Sequence, residues 1–196
     1  MSKVKITLAQ ANSLADRIMA ELAPVCDRVE VAGSIRRKKS TIGDIEIVCI
    51  PKTETVCNLF GEAVETTRAA FDGKLQSLVD AGRFTKPTKN GEKFKQFGIP
   101  AVSGLHLDLF MATPENWGLI FAIRTGCAEF SQQLVTQRGK GGLLPDDYLV
   151  SGGSLWRGGQ SIPTPSEQSV FDLIGGWLEP EDRTGRIANK ALAPSC

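Results

Sequence analysis

Two segments, DIEIVCI at 44–50 and LHLDLFM at 105–111, constrain how this chain folds more than any other feature. Each alternates as a strand does, so successive side chains point to opposite faces of a sheet. In the first, Ile45 and Ile47 share a face that can bury, and Asp44 and Glu46 share the other. In the second, Leu105, Leu107, Leu109 and Met111 make the apolar face, with His106, Asp108 and Phe110 opposite. Asp108 is the only acid between Glu92 and Glu115. The expectation is that the two strands adjoin and that Asp44, Glu46 and Asp108 converge.

Around these strands the sequence reads as mixed helix and strand. Thr7 and Gln10 form a capping-box pattern, and Leu8, Ala11, Leu14, Ile18 and Leu22 follow at helical spacing until Pro24. RVEVA at 28–32 reads as a strand running into a sharp turn at Gly33-Ser34. Thr55 to Val79 reads as one or two helices. Asn90-Gly91 between two short runs predicts a hairpin. Thr113-Pro114-Glu115 predicts a helix start, and a further helix is expected over 128–137, stopped by Gly139. Seven glycines between 139 and 159 then change the texture, and Thr164-Pro165-Ser166-Glu167 repeats the capping-box pattern. The expected division is 1–139 and 140–196.

Bulk properties narrow the class. A net charge of +1 announces no general affinity for nucleic acid, so local charge matters more than the total. Arg83, Lys86, Lys89, Lys93 and Lys95 against the single acid Glu92 make one basic stretch, able to form a positive stripe on a hairpin. Cys26, Cys49, Cys57, Cys127 and Cys196 include no C-x-x-C pair, which favours reduced thiols over zinc or disulfides. With no signal peptide and no membrane-spanning stretch, the expectation is a soluble, intracellular monomer with no membrane partner.

Paired carboxylates in a partly buried place repel unless a cation sits between them, and oxygen donors suit a hard divalent ion such as magnesium. Taken alone, an acid pair one pleat apart is more often a solvated face. The turn upstream changes the balance. Gly33-Ser34 lets backbone amides and a hydroxyl approach phosphate oxygens, and Arg36, Arg37, Lys38 and Lys39 follow at once. An anion-binding turn ten residues before a cation-binding strand suits a nucleoside triphosphate with magnesium. Three converging acids would serve two-metal phosphoryl transfer.

The pattern G-S-x-R-R, then G-D-x-[DE], then a later strand with a third Asp resembles the nucleotidyltransferase palm of X-family, polymerase beta-like DNA polymerases. Arg124-Thr125-Gly126 with Phe130 is similar to that family's Thr-Gly segment. LLPDDYLV (143–150) and TPSEQSVFDLIGGWLEPEDR (164–183) resemble its thumb. The resemblance implies an α+β fold: a palm with a mixed sheet and helices on one face, plus a small thumb-like α/β subdomain, in a reduced form without lyase or helix-hairpin-helix regions. It implies that Asp44, Glu46 and Asp108 are catalytic and hold two Mg2+ ions, with Mn2+ as a substitute. It places Gly33, Ser34, Arg37 and Gly43 at the triphosphate and Thr125 and Gly126 at the sugar, with Lys5 as a further phosphate contact. His106, Lys93 and Lys95 are its candidate DNA contacts. The implied substrates are a dNTP and primer-template or gapped DNA, and the implied role is repair-type gap filling.

The chain departs from that pattern at identifiable positions. Glu46 stands where the family usually has Asp, although D-x-E occurs in antibiotic-modifying nucleotidyltransferases of the same superfamily. Ile123-Arg124 replaces an aromatic pair that screens the sugar, Ala128 and Ser131 replace Asp and Asn, and His106 replaces Arg. These departures keep open nucleotidyl transfer to RNA, protein or a small molecule. A binding module without turnover is the non-enzymatic alternative.

Overall fold

A computed structural model describes residues 4–57 and 63–187. Contacts divide it into two compact units, one containing the chain up to Val31 together with Thr41–Met111, the other containing Ala32–Ser40 and the chain from Ala112 on. The architecture is α+β with a mixed sheet.

The first unit starts with β1 (Ile6–Thr7) and α1 (Leu8–Leu22). Thr7 accepts from the Gln10 amide while the Gln10 side chain accepts from the Thr7 N–H, so both halves of the capping box form. The chain continues through β2 (Cys26–Val31) and leaves for the short helical turn α2 (Gly33–Arg36) of the second unit. It returns as β3 (Thr41–Ile42), which pairs with β1, and β4 (Ile45–Pro51). Next come β5 (Glu54–Cys57), β6 (Ala63–Thr67), α3 (Ala69–Asp80), β7 (Lys89–Asn90), β8 (Phe94–Gly98) and β9 (His106–Met111). Among the described residues the main sheet has the order β2-β4-β9-β8-β7. Only the β4–β9 pairing is parallel within it.

Ile45, Ile47, Leu107 and Leu109 have no exposed surface, and Phe97 on β8 is 2% exposed. Helix α1 contributes Ala11, Leu14, Ala15, Ile18 and Leu22 to the core, and α3 contributes Phe71, Leu75 and Leu78. The helices are linked by the Lys74–Glu21 ion pair at 2.6 Å. Each buried aliphatic side chain contributes about 1.5–3 kcal/mol of transfer free energy, so the apolar parity of β4 and β9 fixes their register firmly.

Three expected elements differ. Thr55–Thr67 is not helical at its ends: β5 and β6 pair antiparallel, with residues 58–62 outside the description, and helix begins only at Ala69. The run of Thr and Val there favours extended backbone over helix. The helix expected at Thr113 begins at Trp117 as α4 (Trp117–Thr125), because Asn116 turns its side-chain oxygen back to the Thr113 N–H. The next helix, α5 (Ala128–Val135), ends two residues early, where Thr136 is extended and its carbonyl accepts from the Leu144 N–H. The Asn90-Gly91 hairpin forms as expected, with the Gly91 N–H donating to the Phe94 carbonyl.

The second unit continues through β10 (Tyr148–Ser151), β11 (Ser154–Arg157) and β12 (Gln160–Ile162), an antiparallel three-stranded sheet, to α6 (Glu167–Ile174). Its core joins Leu119, Phe130 and Leu134 to Leu143, Leu144, Leu155 and Phe171. The change of texture near residue 140 therefore falls inside one packed unit. Helix α4 meets the start of α6 at Gly118, whose N–H donates to the Thr164 carbonyl at 2.7 Å. A Cβ there would overlap the Ser166 carbonyl oxygen, a backbone atom that cannot yield. Gly118→Ala is expected to cost about 3 kcal/mol through overpacking; a urea unfolding midpoint matching wild type would refute this contact.

Candidate active site

Acids on neighbouring strands meet only if the strand register lines them up, and here it does. In the parallel β4–β9 pair, Glu46 is the direct partner of Asp108, one step after the Ile45–Leu107 pair and one before Ile47–Leu109. Both acids are half-buried and share the face opposite the fully buried leucines and isoleucines. Adjacent strands lie about 4.8 Å apart, so the two carboxylates are near neighbours. Asp44, half-buried, stands immediately before β4 and shares Glu46's parity. Gly43 beside it has room for a side chain, its Cβ position lying 4.0 Å from the Val4 carbonyl oxygen.

Among the described residues, no three His, Cys, Asp or Glu side chains stand together as a ready-made metal group. The backbone thus aligns Glu46 with Asp108, while the three acid side chains do not form a closed cage. The donors still fit a hard divalent ion: carboxylates from two adjacent strands, on half-exposed positions, with like charges that a cation would offset. Gln96 on β8 is Asp108's partner on its other side, and its Nε2 donates to Asp108 Oδ1 at 2.8 Å.

In the second unit, Gly33 takes φ +60°, a conformation natural to glycine, and the chain winds into α2. Among the described residues, the Ser34 hydroxyl and Arg37 Nε are buried with no hydrogen-bond partner. An orphaned hydroxyl and guanidinium nitrogen on one short turn form an unsatisfied donor pair, which an anion would satisfy. Elsewhere on the same guanidinium, Arg37 Nη1 donates to the Thr125 carbonyl.

Arg36 has a different role. Its Nη1 donates to the Thr125 hydroxyl at 2.7 Å and to Glu167 Oε1 at 2.8 Å, and Nη2 donates to Glu167 Oε2 at 2.6 Å. The guanidinium lies 3.9 Å from the Phe121 ring centre. Arg183, fully buried, donates to the same carboxylate and to the Leu178 carbonyl, against the rings of Phe171 and Trp177. Burial lowers the Arg183 pKa from its ordinary value and the Glu167 charge opposes that shift. Sequence reading missed this network. Glu167 looked like part of a cap, whereas Ser166 caps α6 alone by accepting from the Ser169 N–H.

Thr125 is fully buried and engaged by both arginines, and Gly126 is required by packing, since a Cβ would strike the Phe130 ring and Ser131. Of the candidate DNA contacts, His106 is exposed at the start of β9, opposite Gly98. Lys93 is exposed just before β8. Lys95 is a correction: it is 9% exposed, and its ammonium bonds Asn90 Oδ1 and sits 3.4 Å from Asp72 Oδ1 of α3. Pleating alternates Lys95 and Phe97 with Phe94 and Gln96, so Lys95 faces the helix side rather than solvent. Lys5 is exposed at the start of β1.

No protein-family model matches the chain. Over 168 aligned residues covering 77% of it, the chain is 25% identical to DNA polymerase lambda of Rattus norvegicus. It spans 28% of that protein's length. Among the described residues no helix is long and apolar enough to cross a membrane.

Proposed function

We propose that this chain is a Mg2+-dependent nucleotidyltransferase of the X-family DNA polymerase type, adding dNMP from a dNTP to a primer 3′-hydroxyl in short gaps. The observation that carries the reading is the register placing Glu46 beside Asp108 on adjacent parallel strands. The likeness to a DNA polymerase over 77% of the chain supports it from an independent direction.

Asp44, Glu46 and Asp108 would hold the divalent ions. When bound, those ions supply charge neutralisation at the phosphates and a lower pKa for the attacking hydroxyl. Asp108 would orient the primer terminus and accept the 3′-hydroxyl proton as the 3′-oxygen attacks the α-phosphorus. The new O–P bond forms in line with the breaking bond, and pyrophosphate leaves. Ser34 and Arg37 bind the triphosphate through the hydroxyl and Nε that lack partners among the described residues. Thr125, held by Arg36 and Arg37, and Gly126 shape the sugar position. The unit that carries Asp44, Glu46 and Asp108 acts as palm, and the C-terminal part of the second unit as a thumb-like part holding duplex DNA, with His106 and Lys93 meeting the backbone.

Primer extension on one-nucleotide-gapped DNA with Mg2+ tests this directly. Wild type is expected to add single deoxynucleotides, and Ser34→Ala and Arg37→Met to raise the KM for dNTP roughly tenfold each, as loss of a charge-assisted contact does. Transfer of labelled nucleotide to RNA, protein or a small molecule, with DNA inert, would replace the DNA acceptor with that one. Nucleotide binding without transfer to any acceptor would defeat the enzymatic reading.

A further inference from the structure

Asp108 does not stand in the sheet alone. Thr88, just before β7, donates from its hydroxyl to Gln96 Oε1 at 2.8 Å, and Gln96 Nε2 donates to Asp108 Oδ1 at 2.8 Å. The backbone supports the same line: the Thr88 N–H donates to the Gln96 carbonyl at 2.9 Å, and Gln96 is the direct strand partner of Asp108. The order Thr88–Gln96–Asp108–Glu46 thus runs sideways across three strands to the acid pair.

We infer that Thr88 and Gln96 are positioning residues that orient the Asp108 carboxylate toward a divalent cation; this rests on the function proposed above. An ionised carboxylate only accepts hydrogen bonds, so the Gln96 amide must present its nitrogen to Asp108 and its oxygen elsewhere. The Thr88 hydroxyl meets that oxygen and locks the amide against rotation. With Oδ1 engaged by Gln96, one carboxylate rotamer is selected and Oδ2 is the oxygen available to the ion. The donated bond also holds Asp108 Oδ1 toward β8, on the side of the strand away from Glu46. Groups that orient a metal ligand from behind typically change metal affinity 10–100-fold when removed.

Position 88 is exposed and remote from the acid pair by two hydrogen bonds, which separates positioning from simple structural support. The experiment titrates Mn2+ alone into the full chain, counting free ion by electron paramagnetic resonance, with urea midpoints measured in parallel. Gln96→Met keeps the side-chain length and is expected to weaken Mn2+ about tenfold. Thr88→Val keeps the shape, and is expected to weaken it about threefold to fivefold with an unchanged urea midpoint. Wild-type affinity in both variants, while Asp108→Asn loses the ion, overturns the relay and leaves the site standing. Mn2+ binding that Asp108→Asn does not alter overturns the site and the relay with it. Should Gln96→Met fail to fold, Thr88→Val alone decides, because loss of affinity without loss of stability has no purely structural explanation.

Discussion

Asp108→Asn is expected to reduce nucleotidyl transfer at least about a thousandfold, equivalent to about 4 kcal/mol of barrier, without lowering stability. Asparagine keeps the volume and can still accept from Gln96, so the local hydrogen bond survives. What disappears is the charge, and with it the proposed metal ligand and the proposed orienting group for the attacking hydroxyl. The stability side follows from the register. Asp108 and Glu46 are direct partners on adjacent strands, and like charges so placed destabilise a sheet. The variant should therefore unfold at the same urea concentration as wild type or a higher one. A variant that loses activity only because it unfolds would not support a catalytic Asp108, and one that retains activity would remove it from the mechanism.

The second large effect lies in the other unit. Glu167→Leu is expected to lower stability by about 3–5 kcal/mol, because it leaves two guanidinium groups facing each other without their shared carboxylate. Side-chain exposures of 0% for Arg183, 7% for Glu167 and 20% for Arg36 leave little solvent to screen them. The urea midpoint should fall by roughly 2 M. Replacing all three residues with apolar ones of similar volume should recover much of the loss, since the penalty comes from unpaired buried charge rather than from missing attraction. A change below about 1 kcal/mol in Glu167→Leu would mean the triad behaves as a screened surface pair.

The elements that were legible in the sequence are those governed by local rules. The Thr7–Gln10 box, the Asn90-Gly91 hairpin and the alternation of 45–51 and 106–111 each depend on residues a few positions apart. That alternation also placed Glu46 and Asp108 on one face, although only the fold supplies the register that makes them partners. The same parity, applied to Lys95, would have turned it inward with Phe97; the charge of the stretch outweighed its pleat in the sequence reading. The pairing of β5 with β6 was not legible because short apolar runs do not distinguish strand from helix, and only the β-branched residues there argue for extended backbone.

Contacts distant in sequence were not legible at all. Arg36 and Glu167 are separated by 131 positions, and nothing in S-E-Q-S marks the glutamate as anything but helix-terminal. Nothing in the sequence around Gln96 and Thr88 distinguishes them from other polar residues of a basic stretch. Only the strand order, which sets β8 against β9, shows that their side chains lead to Asp108.

The acid pair is tested most directly by crystals soaked in Mn2+ and a deoxynucleoside triphosphate, with the ions located by anomalous scattering. Anomalous density coordinated by Glu46 and Asp108, with Asp44 as a further ligand, is the predicted result. Fully occupied manganese on the nucleotide or elsewhere, with both Asp108 oxygens away from any ion, would contradict it.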